Sequence, residues 1–259
     1  MTAHPRRVSL APGYILHHRP YRDTSRILEV LVRDHGRLAL FARGVRGPKP
    51  RFGGVLQPFD LLLLSFQEGR EAGQLTGAES AESAPPLPAA SLMSGFYLNE
   101  LLLKLTTRHD PMPHVFEDYR QALGGLRAAE GAGRKVESVL RVFEKRLLEA
   151  VGYGVDLTSE ARTGKPIEPA GFYRFQASQG LVPARERDAD AVAGSSLLAL
   201  AREELGGAEL GQGQVLENSR VLEDARRVLK AALAERLEGK ELTTRRVARA
   251  VASRGGSRT

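Results

Sequence analysis

Two hydrophobic periods divide the chain. Between about residues 14 and 80 the apolar positions alternate or gather in short clusters, as in half-buried strands. Residues 14–18 are short and extended. Residues 26–33 carry Ile27, Val30 and Val32, and Asp34-His35-Gly36-Arg37 marks a turn before Leu38-Ala39-Leu40-Phe41 resumes the pattern. The two runs therefore predict a hairpin over 26–33 and 37–43. A loop rich in Gly and Pro follows at 44–54. Residues 55–66 then read as one long apolar strand interrupted by Pro58, which predicts an edge or a bulge, and residues 74–79 as the last strand. Five short strands in about 70 residues fit a small closed Greek-key barrel of the OB type.

A Pro-rich connector, Glu82-Ser83-Ala84-Pro85-Pro86-Leu87-Pro88, ends this pattern. Beyond it the period becomes 3.6. Leu98, Leu101, Leu102 and Leu105 share one helical face, as do Val115, Phe116, Tyr119 and Leu123. Val136, Val139, Leu140, Phe143, Leu147 and Val151 mark a third helix, closed by Gly152. Residues 158–187 read as irregular, with a hairpin around 172–175 and 180–182. Residues 197–205, 221–237 and 243–252 return to helix, the last carrying Arg245, Arg246 and Arg249. The expected fold class is α+β and multi-domain: a five-stranded OB-fold barrel (1–82), an all-α domain (83–157 with 188–253), an irregular insert (158–187) and a disordered tail (254–259).

Charge sharpens this division. Residues 1–60 hold 11 Lys/Arg against 4 Asp/Glu, residues 61–219 hold 16 against 22, and residues 220–259 hold 11 against 5. Basic ends around an acidic middle predict local contact with a polyanion. The cations Arg19, Arg22, Arg26, Arg33, Arg37, Arg43, Arg46, Lys49 and Arg51 fall in the barrel. Arg43, Arg46, Lys49 and Arg51 are spaced by Gly and Pro, which lets backbone approach phosphates while the cations replace counterions. Tyr14, Tyr21, Phe41 and Phe52 are candidates for base stacking; Tyr21 and Phe52 flank cations, whereas Phe41 alternates with core positions. The third helix has a basic flank of Arg134, Lys135, Arg141, Lys145 and Arg146, suited either to an acidic peptide or to ion pairs along a solvated face.

Signals for catalysis are weak. The chain has no cysteine, so disulfides, thiol nucleophiles and thiolate zinc sites are not expected. Its six histidines have no metal-ligand spacing. Arg162-Thr163-Gly164-Lys165-Pro166 is the nearest approach to a phosphate-binding loop, but Ser159 replaces the first glycine and Pro166 has no hydroxyl. No enzyme activity, cofactor, metal or catalytic residue is expected. No apolar run nears the roughly 18 residues of a membrane span, and a cytoplasmic, nucleoid-associated protein without membrane contact is expected.

Several stretches resemble the RecO family. They include Leu16-His17-His18-Arg19-Pro20-Tyr21-Arg22-Asp23-Thr24-Ser25, Ala42-Arg43-Gly44-Val45-Arg46 and Leu56-Gln57-Pro58-Phe59. Further on are Ser94-Gly95-Phe96-Tyr97-Leu98-Asn99-Glu100-Leu101-Leu102, Leu140-Arg141-Val142-Phe143-Glu144 and Gly152-Tyr153-Gly154-Val155-Asp156-Leu157. Leu237-Glu238-Gly239-Lys240-Glu241-Leu242-Thr243-Thr244-Arg245 closes the series, which runs in order from about residue 13 to 250. The resemblance implies an OB-fold, a helical domain and, in many members, a four-cysteine zinc module; here residues 158–187 contain no cysteine, so a metal-free version is expected. It also implies a DNA repair and recombination mediator. Such proteins bind single- and double-stranded DNA, anneal complementary strands and, with RecR, help RecA load onto coated DNA. They contact the acidic C-terminal tail of single-strand-binding protein. DNA contact carries over to Arg19, Arg43, Arg46, Lys240 and Arg245. The peptide contact carries over to Arg141, with Lys145 beside it on the same helix.

Three other readings compete: a nuclease or ATP-driven remodeller, a generic RNA- or ssDNA-binding OB module, and a scaffold without mediator activity. Magnesium-dependent loss of labelled DNA would reveal the first. RNA–DNA competition would reveal the second, and absent or salt-insensitive binding the third.

Overall fold

In the computed structural model, residues 6–46, 49–52, 54–205, 212–237, 242–244 and 246–247 are described. They form two compact units. The first takes residues up to Pro88 together with Gly95–Leu123, and the second takes Ala89–Ser94 and the chain from Gly124.

The first unit is built on five strands: β1 (Arg7–Tyr21), β2 (Ser25–Val32), β3 (Gly36–Ala42), β4 (Leu62–Gln67) and β5 (Gly73–Ser80). They close in the order β1-β2-β3-β5-β4. Only the β3–β5 pairing is parallel, through Leu40↔Gly73 and Phe41↔Gln74. That closure is the five-stranded OB barrel the strand pattern predicts. Alternation fills its interior: Leu28, Val30, Leu40, Leu64, Phe66 and Leu75 are fully buried in one cluster. Each such side chain contributes about 1.5–3 kcal/mol on burial.

β1 is longer than its apolar pattern suggests. Its register shifts between Val8 and Ala11 and again between Ile15 and His17, and each bulge breaks the period of two by which a strand is recognised. β4 is shorter than the apolar run 55–66. Phe59 takes a φ of 72° next to Pro58, so the ladder starts only at Leu62. The β2–β3 turn requires Gly36: its φ is 70°, and a Cβ there would stand 2.1 Å from the carbonyl oxygen of Asp110.

Two helices cover part of the outer barrel face, α1 (Leu92–Leu105) from Gly95 and α2 (Pro113–Ala128) as far as Leu123. Tyr14 packs edge-on to Tyr119 at 5.1 Å and beside Phe116 at 5.2 Å. Asn99 Nδ2 donates to the Leu16 carbonyl (2.8 Å) and its Oδ1 accepts from the Tyr119 hydroxyl (2.5 Å), so this buried amide is held from both sides.

In the second unit α3 (Gly133–Ala150) and α4 (Gly194–Ala201) each pack against α5 (Gln212–Arg236). Gly152, with φ 82°, follows the end of α3. Gly125 lets α2 approach α3, since a Cβ there would meet Val139 Cγ2 at 2.7 Å. β6 (Phe172–Gln176) and β7 (Gly180–Pro183) form the predicted hairpin, and β8 (Val192–Ala193) adds a third strand beside β6. The bend before this sheet is held by Asp156, which accepts from the Thr158 amide and hydroxyl and from Ser159. Those bonds, Ser159's foremost, hold its carboxyl below the ordinary aspartate value.

Candidate nucleic-acid interface

At one end of the barrel the β1–β2 turn meets the loop that leaves β3. Three apolar anchors seat this loop. Val45 and Leu56 belong to the barrel core, and Phe52 packs against it. Backbone bonds add to them: the Val45 and Arg46 amides both donate to the Thr24 carbonyl (2.9 and 3.0 Å), and the Arg51 amide donates to Gly44 (2.7 Å). Gly44, at φ 66°, makes the turn out of β3. The loop thus lies against the mouth of the barrel with its polar side outward.

Its cations are consequently exposed, and two of them, Arg46 and Arg51, are held by hydrogen bonds. Arg43, Arg46, Lys49 and Arg51 all reach solvent. Arg46 Nη1 donates to the Arg22 carbonyl (3.3 Å). Arg51 Nη2 donates to the Thr76 carbonyl (2.8 Å), and its guanidinium lies 4.8 Å from the Phe52 ring centroid. From the β1–β2 hairpin come exposed Arg19, on β1, and exposed Arg22, in the turn at φ 51°. Arg26 is half-buried, in register with Pro20 and Ala42 on the side of the wall that carries Leu28. Beside it, burial first and then Arg26 and His17 lower the His18 pKa, so at pH 7 that ring is neutral and the positive charge of the mouth is that of its Arg and Lys groups.

Four sequence candidates sit differently. Arg37 is taken up by structure: Nη1 donates to Glu29 (3.0 Å), Nη2 to the Thr106 carbonyl (2.8 Å) and Nε to the Thr106 hydroxyl (3.3 Å). Its side chain is 14% exposed. It ties β3 to the chain after α1, helped by an Arg108–Glu29 ion pair, and has no donor face to offer a phosphate. Tyr14 is buried under α2, and Phe52 caps the core beneath Arg51, so neither presents a free ring face. Lys145 pairs with Glu149 (3.2 Å) and Glu203 (3.1 Å), which neutralises it along its own surface. Lys240 and Arg245 lie outside the described residues.

Arg141 is buried on α3 and pairs with Glu144 at 3.0 Å. Its Nε and Nη1 are buried with no acceptor among the described residues. Neither the Thr24 carbonyl that anchors the loop nor the pairing of Tyr21 with Phe41 (5.3 Å between centroids) was legible in the sequence, because both join residues about 20 apart through strand register.

A five-stranded OB barrel with exposed cations at one end, followed in the chain by a mainly helical unit, is the architecture these residues define. Residues 8–84 match the family described as "Recombination protein O N terminal", and residues 89–246 match "Recombination protein O C terminal". The chain is 40% identical to the DNA repair protein RecO of Methylococcus capsulatus, over 95% of each chain. It is also 40% identical to that of Nitrosococcus oceani over 92% of each, and 36% identical to that of Azoarcus sp. over 93% of this chain and 95% of the other. The chain belongs to the RecO family, which places it in DNA repair and recombination. Among the described residues no helix is long and apolar enough to cross a membrane.

Proposed function

We propose that the chain is a non-catalytic recombination mediator: it holds single- and double-stranded DNA, anneals complementary strands, and acts with RecR to help RecA onto strands coated by single-strand-binding protein. The observation that carries this reading is the ring of Arg19, Arg22, Arg43, Arg46, Lys49 and Arg51 around the barrel mouth. Cations exposed together displace counterions from a phosphate backbone, whatever its sequence. Two strands held by one protein reach a high effective concentration and pair faster, with no bond made or broken.

Recruitment by the acidic tail of single-strand-binding protein is supported by Arg141. Its Nε and Nη1 would form charge-assisted bonds with a carboxylate that reached them. Annealing tests the reading as a whole. Two complementary oligonucleotides carrying a donor and an acceptor dye are expected to pair many-fold faster with the protein than without it, with no nucleotide and no magnesium. Unchanged pairing alongside normal DNA binding would contradict annealing. Loss of labelled DNA on adding magnesium would contradict a purely binding role.

A further inference from the structure

Among the arginines of the barrel mouth stands one group whose charge depends on pH. On β1, His18 is in register with Leu28 of β2, and Arg26, two residues before Leu28, is in register with Pro20. Residues two apart on a strand share a face, so His18 and Arg26 are diagonal neighbours on the side of the hairpin that Leu28 turns to the core. His18 is exposed, as are Arg19 beside it and Arg22 in the turn beyond. The other ionisable neighbour is His17, whose ring centroid lies 6.4 Å from that of His18. His17 belongs to the opposite face, in register with Glu29, and the Glu29 carboxylate is taken by Arg37 and Arg108. α1 reaches this stretch of β1 through an uncharged group, the Asn99 amide on the Leu16 carbonyl. Among the described residues no carboxylate pairs with His18.

An imidazole set among cations without an anion of its own holds its proton weakly. Partial burial, then Arg26, then His17 lower the His18 pKa below the ordinary 6.5. A DNA phosphate at the mouth supplies the missing anion: it offsets the Arg26 charge and favours the imidazolium over the neutral ring. We propose that His18 is a phosphate contact that takes up a proton when DNA settles on the mouth beside Arg26. The proposal rests on the DNA-binding reading above and gives that site a dependence on pH. Arginine and lysine stay charged from about pH 8 to 5.5, so their contribution is constant there, whereas His18 contributes only where it is protonated. A group whose pKa is higher in the complex than in the free protein binds a proton on association. Affinity therefore rises as pH falls between those two values, whatever the sequence of the DNA.

The test titrates the full chain onto labelled oligothymidylate, whose bases stay neutral over this range, at fixed ionic strength from about pH 8 to 5.5. Wild type is expected to gain up to about 10-fold in affinity, the factor that one unit of pKa shift carries. His18→Gln is expected to match wild type at the alkaline end and to lose most of that gain, while His17→Gln keeps it. Calorimetry in two buffers of different ionisation heat is expected to show proton uptake on binding by wild type and less by His18→Gln. Equal gains for wild type and His18→Gln, binding without proton uptake, or a His18→Gln variant weakened by one factor at every pH each overturns the proton-linked contact. Wild type that binds oligothymidylate at no pH would instead overturn the DNA-binding reading itself.

Discussion

Arg37 and Arg43 lie six residues apart, one on β3 and one in the loop that β3 feeds, and their surroundings give them opposite work. Arg37 spends its donors on Glu29 and Thr106, while Arg43 is exposed at the mouth. Removing a buried, charge-assisted arginine costs about 2 kcal/mol, because its acceptors lose their donor. Arg37→Ala is therefore expected to lower the thermal midpoint by several degrees, with the salt dependence of DNA binding unchanged. A flatter salt dependence with an unchanged midpoint would return Arg37 to the DNA surface. Both arginines read as equivalent basic positions in sequence. The partners that separate them, Glu29 across the β2–β3 ladder and Thr106 after α1, come together only on folding.

At the scale of elements, α3 is joined to the end of α4 by Glu203. It accepts from Arg146 (2.5 and 3.0 Å) and from Lys145 (3.1 Å), and its own backbone sits at φ 62°. A non-glycine residue there costs about 1–2 kcal/mol, so the ion pairs hold Glu203 where glycine would ordinarily stand. Hydrogen bonding by Arg146, ahead of Lys145, lowers the Glu203 pKa beneath its ordinary 4.5. A depressed carboxylate contributes stability above that ordinary value and loses it as pH falls through the folded value. Thermal melts between about pH 5 and 3 are expected to fall less steeply for Glu203→Gln than for wild type; parallel curves would exclude the pair as a source of acid sensitivity.

The same elements show how far the pattern of residues carries. Helices with a clean 3.6 period, such as the one around Leu140, Phe143 and Leu147, lie close to where periodicity puts them. Strands suffer where bulges or prolines break alternation, as at both register shifts of β1 and at Pro58–Phe59. At the candidate site the cations were legible and their anchoring was not. Val45, Phe52 and Leu56, read as loop and strand residues, hold the loop against the core.

At the scale of the whole molecule, the basic N-terminal segment of the sequence supplies the exposed cations at one barrel mouth, and in the sequence residues 220–259 hold a second excess of positive charge. The central claim is that the mouth tracks a phosphate backbone. Fluorescence anisotropy of a labelled single strand, titrated at several salt concentrations, tests it with wild type and an Arg43→Ala/Arg46→Ala/Arg51→Ala variant. Wild-type affinity is expected to fall linearly in a log–log plot, and the variant to bind more weakly with a slope shallower by about 2, from three lost phosphate contacts on a single strand. A variant that keeps the wild-type affinity and slope would contradict the account and move the DNA site away from the barrel mouth.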